Sequence, residues 1–194
     1  MFTKFMSTAS LIAMIATPVF ADPPHDAFDV AEDHTSFSFA PAPVDADGMP
    51  AHGNPFVTQG YIYPAGTLSG GEAGVLENGD PAYPAKVLGT WTCDGWFVGD
   101  AMRTTSGTWL ISRQVFEFKD GDILISQGPE KADIGESYER PITGATGVFA
   151  ENDGDVTQTL LGFTEFMGVN VRFELGDTQH SARIASEKHM STGG

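Results

Sequence analysis

The sequence predicts an all-β protein, built either as a two-layer sandwich or as a closed barrel. Short runs rich in β-branched and aromatic residues recur along the chain, and no long stretch has the 3.6-residue period of a helix. Glycines and Asp-Gly pairs such as Asp120-Gly121 separate the runs, as tight turns between antiparallel strands require. The principal runs are residues 56–63, 86–98, 107–118, 121–128, 147–150, 155–163 and 166–175.

Alternation within these runs predicts which side chains face the core. In residues 169–175 the odd-numbered residues are apolar, so we place them inside. In residues 91–97 the odd-numbered residues, which include Cys93, share one face, and we place this face inside as well. In residues 123–127 we also assign the odd-numbered residues, the last of which is Gln127, to the inner face.

The N-terminus has the features of a secretory signal peptide. Lys4 supplies a positive start, an apolar stretch follows, and small or β-branched residues lie just before Ala21. Cleavage after Ala21 would place the mature protein in the periplasm or outside the cell. The apolar stretch is too short to span a bilayer, and no later segment is apolar enough to do so.

The rest of the chain divides by composition. Residues 22–54 are rich in Pro, Asp and Ala without a sustained apolar period, which predicts a loosely ordered, flexible lead-in. The β domain then covers residues 55–177. Residues 178–194 form a polar tail with one short predicted helix, at about 181–190.

Charge and cysteine content narrow the function classes. The formal net charge of −16 argues against binding to nucleic acid or to anionic membranes. Cys93 is the only cysteine, so an exported form has no internal disulfide and depends on its core for stability. The 14 phenylalanines and 3 tryptophans provide the material for such a core.

The order of several segments resembles a known family. The sequence Gln-Gly-Pro at residues 127–129 ends one strand-like run, and Ile-Thr-Gly-Ala-Thr-Gly-Val-Phe follows at residues 142–149. A run that contains Gly168-Val169 comes next, and Cys93 lies in the earlier run at residues 89–98. Over about residues 86–176 this order resembles the allene oxide cyclase barrel family and, more distantly, dirigent proteins.

The resemblance implies an eight-stranded antiparallel β-barrel that is often trimeric and holds a small apolar ligand in its lumen. In allene oxide cyclases the lumen binds an unsaturated fatty-acid epoxide and steers its ring closure, while dirigent proteins steer radical coupling. The cyclases use a glutamate on an early strand, but the early run at residues 56–63 contains none. Because the catalytic carboxylate has no match, the catalytic residues are left unassigned. Cys93 does match the family's interior cysteine.

Four residues are the candidate ligand contacts: Cys93, Tyr61, Gln127 and Gln158. Tyr61 and Gln127 would orient a polar ligand atom by hydrogen bonding, and Cys93 would add a soft contact, although a buried cysteine also packs as a small hydrophobe.

No metal or other cofactor is expected, because His25, His34 and His52 lie in the flexible lead-in and do not converge. Among the arginines we expect Arg113, Arg140 and Arg172 to be paired on the surface, unless one points inward to hold a carboxylate ligand.

Three functions remain open. The first is an exported barrel that binds a small apolar ligand and steers its stereochemistry. The second is an isomerase or cyclase that acts on an unsaturated epoxide in the same cavity. The third is a structural or interaction protein of the cell envelope with a filled barrel, and in each case a homo-oligomer, dimer or trimer, is expected.

Overall fold

The computed structural model describes residues 26–152 and 154–176, which form a closed barrel of eight antiparallel strands. The strands are β1 (Ala27–Phe39), β2 (Pro55–Pro64), β3 (Gly89–Phe97), β4 (Thr108–Phe118), β5 (Ile123–Lys131), β6 (Ser137–Ala145), β7 (Asp155–Phe163) and β8 (Val169–Leu175). Short 3-10 helices occur in the connections at Pro84–Lys86, Ala101–Arg103 and Gly147–Phe149. Each strand pairs with its neighbours in sequence and β8 pairs with β1, which confirms the predicted eight-stranded barrel.

Two predicted segments fall outside this part of the chain. The signal peptide at residues 1–21 and the polar tail at residues 178–194, with its predicted helix, lie outside the described residues. Within the described residues, no helix combines the length and the apolar composition needed to cross a membrane.

The barrel begins at β1, inside the segment 22–54 that composition predicts to be a loosely ordered lead-in. That prediction is wrong for β1, and the barrel starts near residue 27 rather than residue 55. The inward-facing Phe28 and Val30 alternate with acidic or small residues, and this composition hides the strand pattern. Asp29 is buried on the outer face of the strand, where a covering loop replaces solvent.

The barrel interior changes character along its axis. At one end, phenylalanine rings pack edge-to-face or stacked with centroids about 5 Å apart, as Phe28 does with Phe116 (5.1 Å) and Phe173 (5.4 Å). The middle is a layer of buried polar side chains: Ser112, Gln114, Ser126, Glu130, Arg140 and Gln158. The far end is an open cavity with aromatic walls. The barrel interior is therefore packed at the phenylalanine end and open at the opposite end.

The predicted facing holds for two of the three strand runs. The apolar odd-numbered residues of β8 and of residues 91–97 belong to the interior cluster, Cys93 among them. The assignment in β5 is wrong: Leu124, Ser126 and Glu130 face inward, and Gln127 is exposed. Residues 123–125 are all apolar, so alternation has no contrast from which to choose a face.

A second apolar cluster lies outside the barrel, under the connection between β2 and β3. Tyr63, Leu68 and Val75 form its buried part together with Ala31. The carboxylate of Asp29 holds the connection in place, because it accepts hydrogen bonds from the Leu68 amide (2.9 Å) and from the Arg172 guanidinium (2.8 Å). The outer face of the sheet around Asp29, Ala31 and Tyr63 is therefore a packed surface rather than a solvated one.

The glycine- and threonine-rich segment at residues 142–149 is a structural junction between β6 and β7. Gly147 has φ +59°, and a Cβ at this position would collide with the carboxylate of Asp122. That carboxylate accepts a hydrogen bond from the Val148 amide at 3.0 Å. The hydroxyl of Thr146 accepts another from the first amide of β5 at 2.9 Å, so the junction is tied to the β4–β5 hairpin.

Replacing Gly147 with alanine should lower the free energy of unfolding by about 2–4 kcal/mol, because backbone strain and the collision with Asp122 add together. Gly121→Ala is the matched control: Gly121 also has positive φ (+94°), but a Cβ there would meet no atom within 4 Å. It should lose only the backbone contribution of about 1–2 kcal/mol. Urea unfolding of both variants measures the difference, and equal losses would contradict a steric role for Asp122.

Candidate functional site

A cavity of about 220 Å³ occupies the end of the barrel opposite the phenylalanine cluster. Its walls are mainly aromatic, and the rings come from several strands: Phe37, Phe56, Trp91, Phe97, Trp109 and Phe163. The exposed side chains of Phe39, Met49 and Met167 form the rim, so the cavity opens to solvent at this end. These dimensions and walls suit a small apolar molecule.

Among the described residues, five polar side chains interrupt the apolar wall: Glu32, His34, Thr58, Cys93 and Glu130. Closure of the barrel brings them together, because they come from β1, β2, β3 and β5. Their hydrogen bonding differs, and this difference separates side chains that support the barrel from those that are left free to meet a ligand.

Glu32 is the less satisfied of the two cavity carboxyls. One of its oxygens accepts a hydrogen bond from the Val169 amide at 3.0 Å, across the junction of β1 and β8. The Thr58 hydroxyl also lies against this carboxyl. Desolvation inside the barrel raises the pKa of Glu32 to about 7, while the nearby Thr58 hydroxyl and the Val169 amide oppose the rise and the charge of Glu130 adds to it. Glu32 therefore changes protonation state near neutral pH.

Thr58 lies on β2 beside Glu32, with its side chain buried in the cavity wall. Its hydroxyl lies close enough to Glu32 to lower that carboxyl's pKa, yet it makes no hydrogen bond of ordinary geometry. A buried hydroxyl without a hydrogen bond of ordinary geometry costs free energy, so Thr58 is an unsatisfied polar group beside Glu32 in the cavity wall.

Glu130, in contrast, is held by three neighbours. Its carboxylate accepts hydrogen bonds from the Ser112 hydroxyl, from the Gln158 amide at 3.0 Å and from the Cys93 thiol at 3.5 Å. Gln158 in turn accepts a hydrogen bond from Gln114 at 3.0 Å. Glu130 is thus part of the buried polar layer and presents only its edge to the cavity.

Cys93 is a neutral thiol in this setting. Desolvation raises its pKa well above the usual range, and the neighbouring negative charge of Glu130 raises it further. Since the thiolate is the nucleophilic form, Cys93 serves here as a wall residue and a weak hydrogen-bond donor.

Arg140 completes the polar layer behind the cavity. Its side chain is fully buried, and all five of its N–H groups donate hydrogen bonds. The acceptors are the Ser126 hydroxyl, the carbonyls of Gly128, Pro129 and Ser112, and the Ser112 hydroxyl. Because Ser112 also donates to Glu130, it links the buried cation to the buried anion. We expected the arginines to be paired on the surface, but Arg140 points inward. It has no N–H group left for a ligand.

The structure places the four predicted contact residues in different environments. Cys93 lies in the cavity wall, and Gln158 lies behind it in the polar layer. Tyr61 and Gln127 lie outside the lumen, so their predicted position is wrong. Tyr61 packs under the β2–β3 connection and donates to the Gly79 carbonyl at 3.0 Å, which means that its aromatic character reflects an outer cluster.

Sequence reasoning missed the two cavity carboxyls, although the pattern contains both. Glu32 continues the inward alternation of Phe28 and Val30, and Glu130 lies on the same face of β5 as Leu124. Glu32 also lies on the true first strand, whereas we looked for an early-strand glutamate only at residues 56–63. Strand alternation extended through acidic residues would have found both.

This arrangement can donate and accept hydrogen bonds in an apolar space and can transfer a proton near neutral pH. Among the described residues, no group of three or more His, Cys, Asp or Glu side chains is placed to hold a metal ion. His34 lies at the rim, where its ring stacks on Phe166 with centroids 4.8 Å apart.

Comparison with known proteins supports the fold. No protein-family model and no curated protein sequence matches the chain. Among solved structures, the chain is similar to a pterocarpan synthase dirigent protein, PsPTS1, with a TM-score of 0.53 and 16% identity over 76% of this chain and 89% of that chain. A pyocyanin demethylase matches with a TM-score of 0.48 and 13% identity over 77% and 98%. The likeness to the dirigent protein shows a dirigent-like barrel fold, and it does not extend to the more specific allene oxide cyclase family.

Arg140→Lys should lower the free energy of unfolding by about 3 kcal/mol or more, because lysine keeps the charge but cannot replace five fixed donors. Arg113→Lys is the control, since Arg113 is exposed and pairs with Asp94 at 2.8 Å. It should lose less than about 1 kcal/mol. Denaturant unfolding measures both, and a small loss in Arg140→Lys would show that the polar layer tolerates rearrangement.

Glu32 should make stability fall as pH rises. Its folded pKa of about 7 lies above the ordinary value of 4.5, so the folded state holds the proton more tightly. The stabilising contribution is complete below pH 4.5 and is lost as pH rises through 7, with a total of about 3 kcal/mol. Between pH 4.5 and pH 8 the free energy of unfolding should therefore fall more for the wild type than for Glu32→Gln, as denaturant unfolding at the two pH values measures. The exposed Glu117→Gln should follow the wild type, and parallel behaviour of all three proteins would rule out a raised pKa.

Proposed function

We propose that this barrel binds a small apolar ligand in its lumen and holds it in one orientation. The observation that carries the proposal is the cavity itself: about 220 Å³, with aromatic walls and a few polar groups at its inner end. Sites that bind small molecules combine these features, since apolar walls supply affinity and a few polar groups fix orientation. A purely structural barrel would gain stability by filling this space.

The polar groups define where the ligand's own polar atom lies. Glu32 accepts a hydrogen bond from the Val169 amide and the Thr58 hydroxyl makes none of ordinary geometry, whereas Glu130 is held by three donors. A ligand with its polar group against Glu32 and its apolar body against the aromatic rings satisfies both parts of the wall. This orientation gives the barrel a means of stereochemical control.

An isomerase or cyclase is the second candidate, and Glu32 favours it. A carboxyl with a pKa of about 7 is protonated in a large fraction of molecules near neutral pH and can donate to an epoxide or carbonyl oxygen. Turnover of a panel of unsaturated epoxides, followed by chiral product analysis, tests this candidate. Activity lost in Glu32→Gln and retained in Glu117→Gln supports it, and absence of turnover with the panel counts against it.

We place this activity outside the cytoplasm. Export is supported by the positive start, the apolar stretch and the small residues before Ala21. A dimer or trimer is part of the proposal, by analogy with barrels of this architecture.

Filling the cavity should abolish ligand binding. N-phenyl-1-naphthylamine, a neutral probe that fluoresces in apolar sites, should bind the wild-type protein. Val169→Phe places a larger side chain in the wall and should weaken binding at least about tenfold through steric exclusion. Fluorescence titration measures the affinity.

Val148→Phe is the matched control for this experiment, because Val148 is 69% exposed and lies outside the cavity. It should bind the probe as the wild type does. Equal affinity in all three proteins would place the probe elsewhere and remove the support for a lumen site.

A further inference from the structure

The charged groups of the cavity wall are unbalanced. Of the described residues that line the cavity, Glu32 and Glu130 are acidic, and none is a lysine or an arginine. His34 is the remaining titratable base in the wall, and it lies at the rim with Nε2 at 3.2 Å from the Glu77 carbonyl. A ligand that enters the lumen therefore meets negative or neutral groups.

The nearest buried cation does not correct this imbalance for a ligand. Arg140 lies behind the wall rather than in it, and its five N–H groups are all engaged by serine hydroxyls and backbone carbonyls. An anionic ligand would have to break these hydrogen bonds to reach the guanidinium. Burying a carboxylate without a partner is strongly unfavourable, which makes anions poor ligands here.

The unsatisfied groups point to a ligand that donates hydrogen bonds. The carboxylate of Glu32 is an acceptor when ionised, and the buried Thr58 hydroxyl beside it makes no hydrogen bond of ordinary geometry and lines the same cavity. An ammonium group has several donors and can contact both oxygens at once. A charged donor to an ionised carboxylate forms a stronger hydrogen bond than a neutral donor does.

The aromatic walls strengthen this preference. Ring faces attract cations as well as apolar groups, and tryptophan does so most strongly. Trp91 and Trp109 line the cavity together with Phe56 and Phe97. An amine with an apolar body thus matches the carboxyls at the inner end and the rings along the sides.

We infer that the ligand of this lumen is a small organic cation, a protonated primary amine on an aromatic or alicyclic body, and that carboxylates are excluded. The inference rests on the proposed ligand-binding function and narrows it to one chemical class. The ammonium group lies between Glu32 and Thr58, with Glu130 as the second negative charge.

Binding of such a cation depends on pH through Glu32. The titratable groups that share the cavity wall with Glu32 are Glu130 from β5, Cys93 from β3 and His34 from β1, and the charge of Asp33 acts on it from the other face of β1. β2 and β8 contribute Thr58 and the Val169 amide. Amine affinity should rise between about pH 5.5 and pH 8 as Glu32 ionises, while the amine itself stays protonated.

Three compounds with one body test the inference: 2-phenylethylamine, 2-phenylethanol and 3-phenylpropanoate. Each competes against N-phenyl-1-naphthylamine at pH 8, with the full-length mature protein. The amine should bind about tenfold more tightly than the alcohol, and the carboxylate should not compete. Glu32→Gln should weaken amine binding about tenfold and change alcohol binding less than about twofold, while the exposed Glu117→Gln changes neither.

The outcomes separate the inference from the function on which it rests. If the alcohol or the carboxylate binds as well as the amine does, the cation preference is wrong and the ligand-binding barrel survives. If no compound competes and the probe itself does not enter the lumen, the proposed function fails and the inference fails with it. Unchanged amine affinity in Glu32→Gln would also overturn the inference.

Discussion

The junction between β1 and β8 is the contact on which both the barrel and its cavity depend. It closes the sheet, so that no strand edge is left unpaired among the described residues. Side chains also connect the first and last strands. Arg172 binds Asp29 on the outer face, and Glu32 accepts a hydrogen bond from the Val169 amide on the inner face. The strand that closes the barrel thus also holds one carboxylate oxygen of Glu32.

The buried polar layer explains why only one end of the barrel is hollow. Arg140, Ser112 and Glu130 satisfy one another within the lumen, and Gln114 and Gln158 extend the network to Trp91. Such a layer is favourable only when nearly every donor and acceptor is paired, so it resists rearrangement. It separates the phenylalanine-filled end, which stabilises the fold, from the open end, which can hold a ligand without loss of the core.

Most strands and most facings could be predicted from the sequence, because β-branched runs and Asp-Gly turns are local signals, while closure was expected from the family resemblance. The first part of β1 was not predicted, since its acidic residues are stabilised by partners far along the chain: Asp29 by Arg172, and Glu32 by Val169. Tyr61 was placed inside for a related reason. Its outer face is covered by the β2–β3 connection, and a tyrosine under a loop has the same local pattern as one in a lumen. Pairings between distant residues decided each of these cases.

Glu130 and Glu32 differ in the number of hydrogen-bond donors that hold them. This difference separates a carboxyl with a structural role from one that is a candidate for function. Glu130 has three donors, so its burial is balanced within the protein. Glu32 has one, and its neighbour Thr58 has none of ordinary geometry. A glutamine or an apolar residue at position 32 would avoid the cost of desolvating a carboxyl, so the fold alone gives no reason for an acid there. Proteins tolerate such local cost where a site requires it. The unsatisfied Thr58 hydroxyl beside the desolvated carboxyl of Glu32 is therefore the strongest physical reason to regard the lumen as a site rather than as a packing defect.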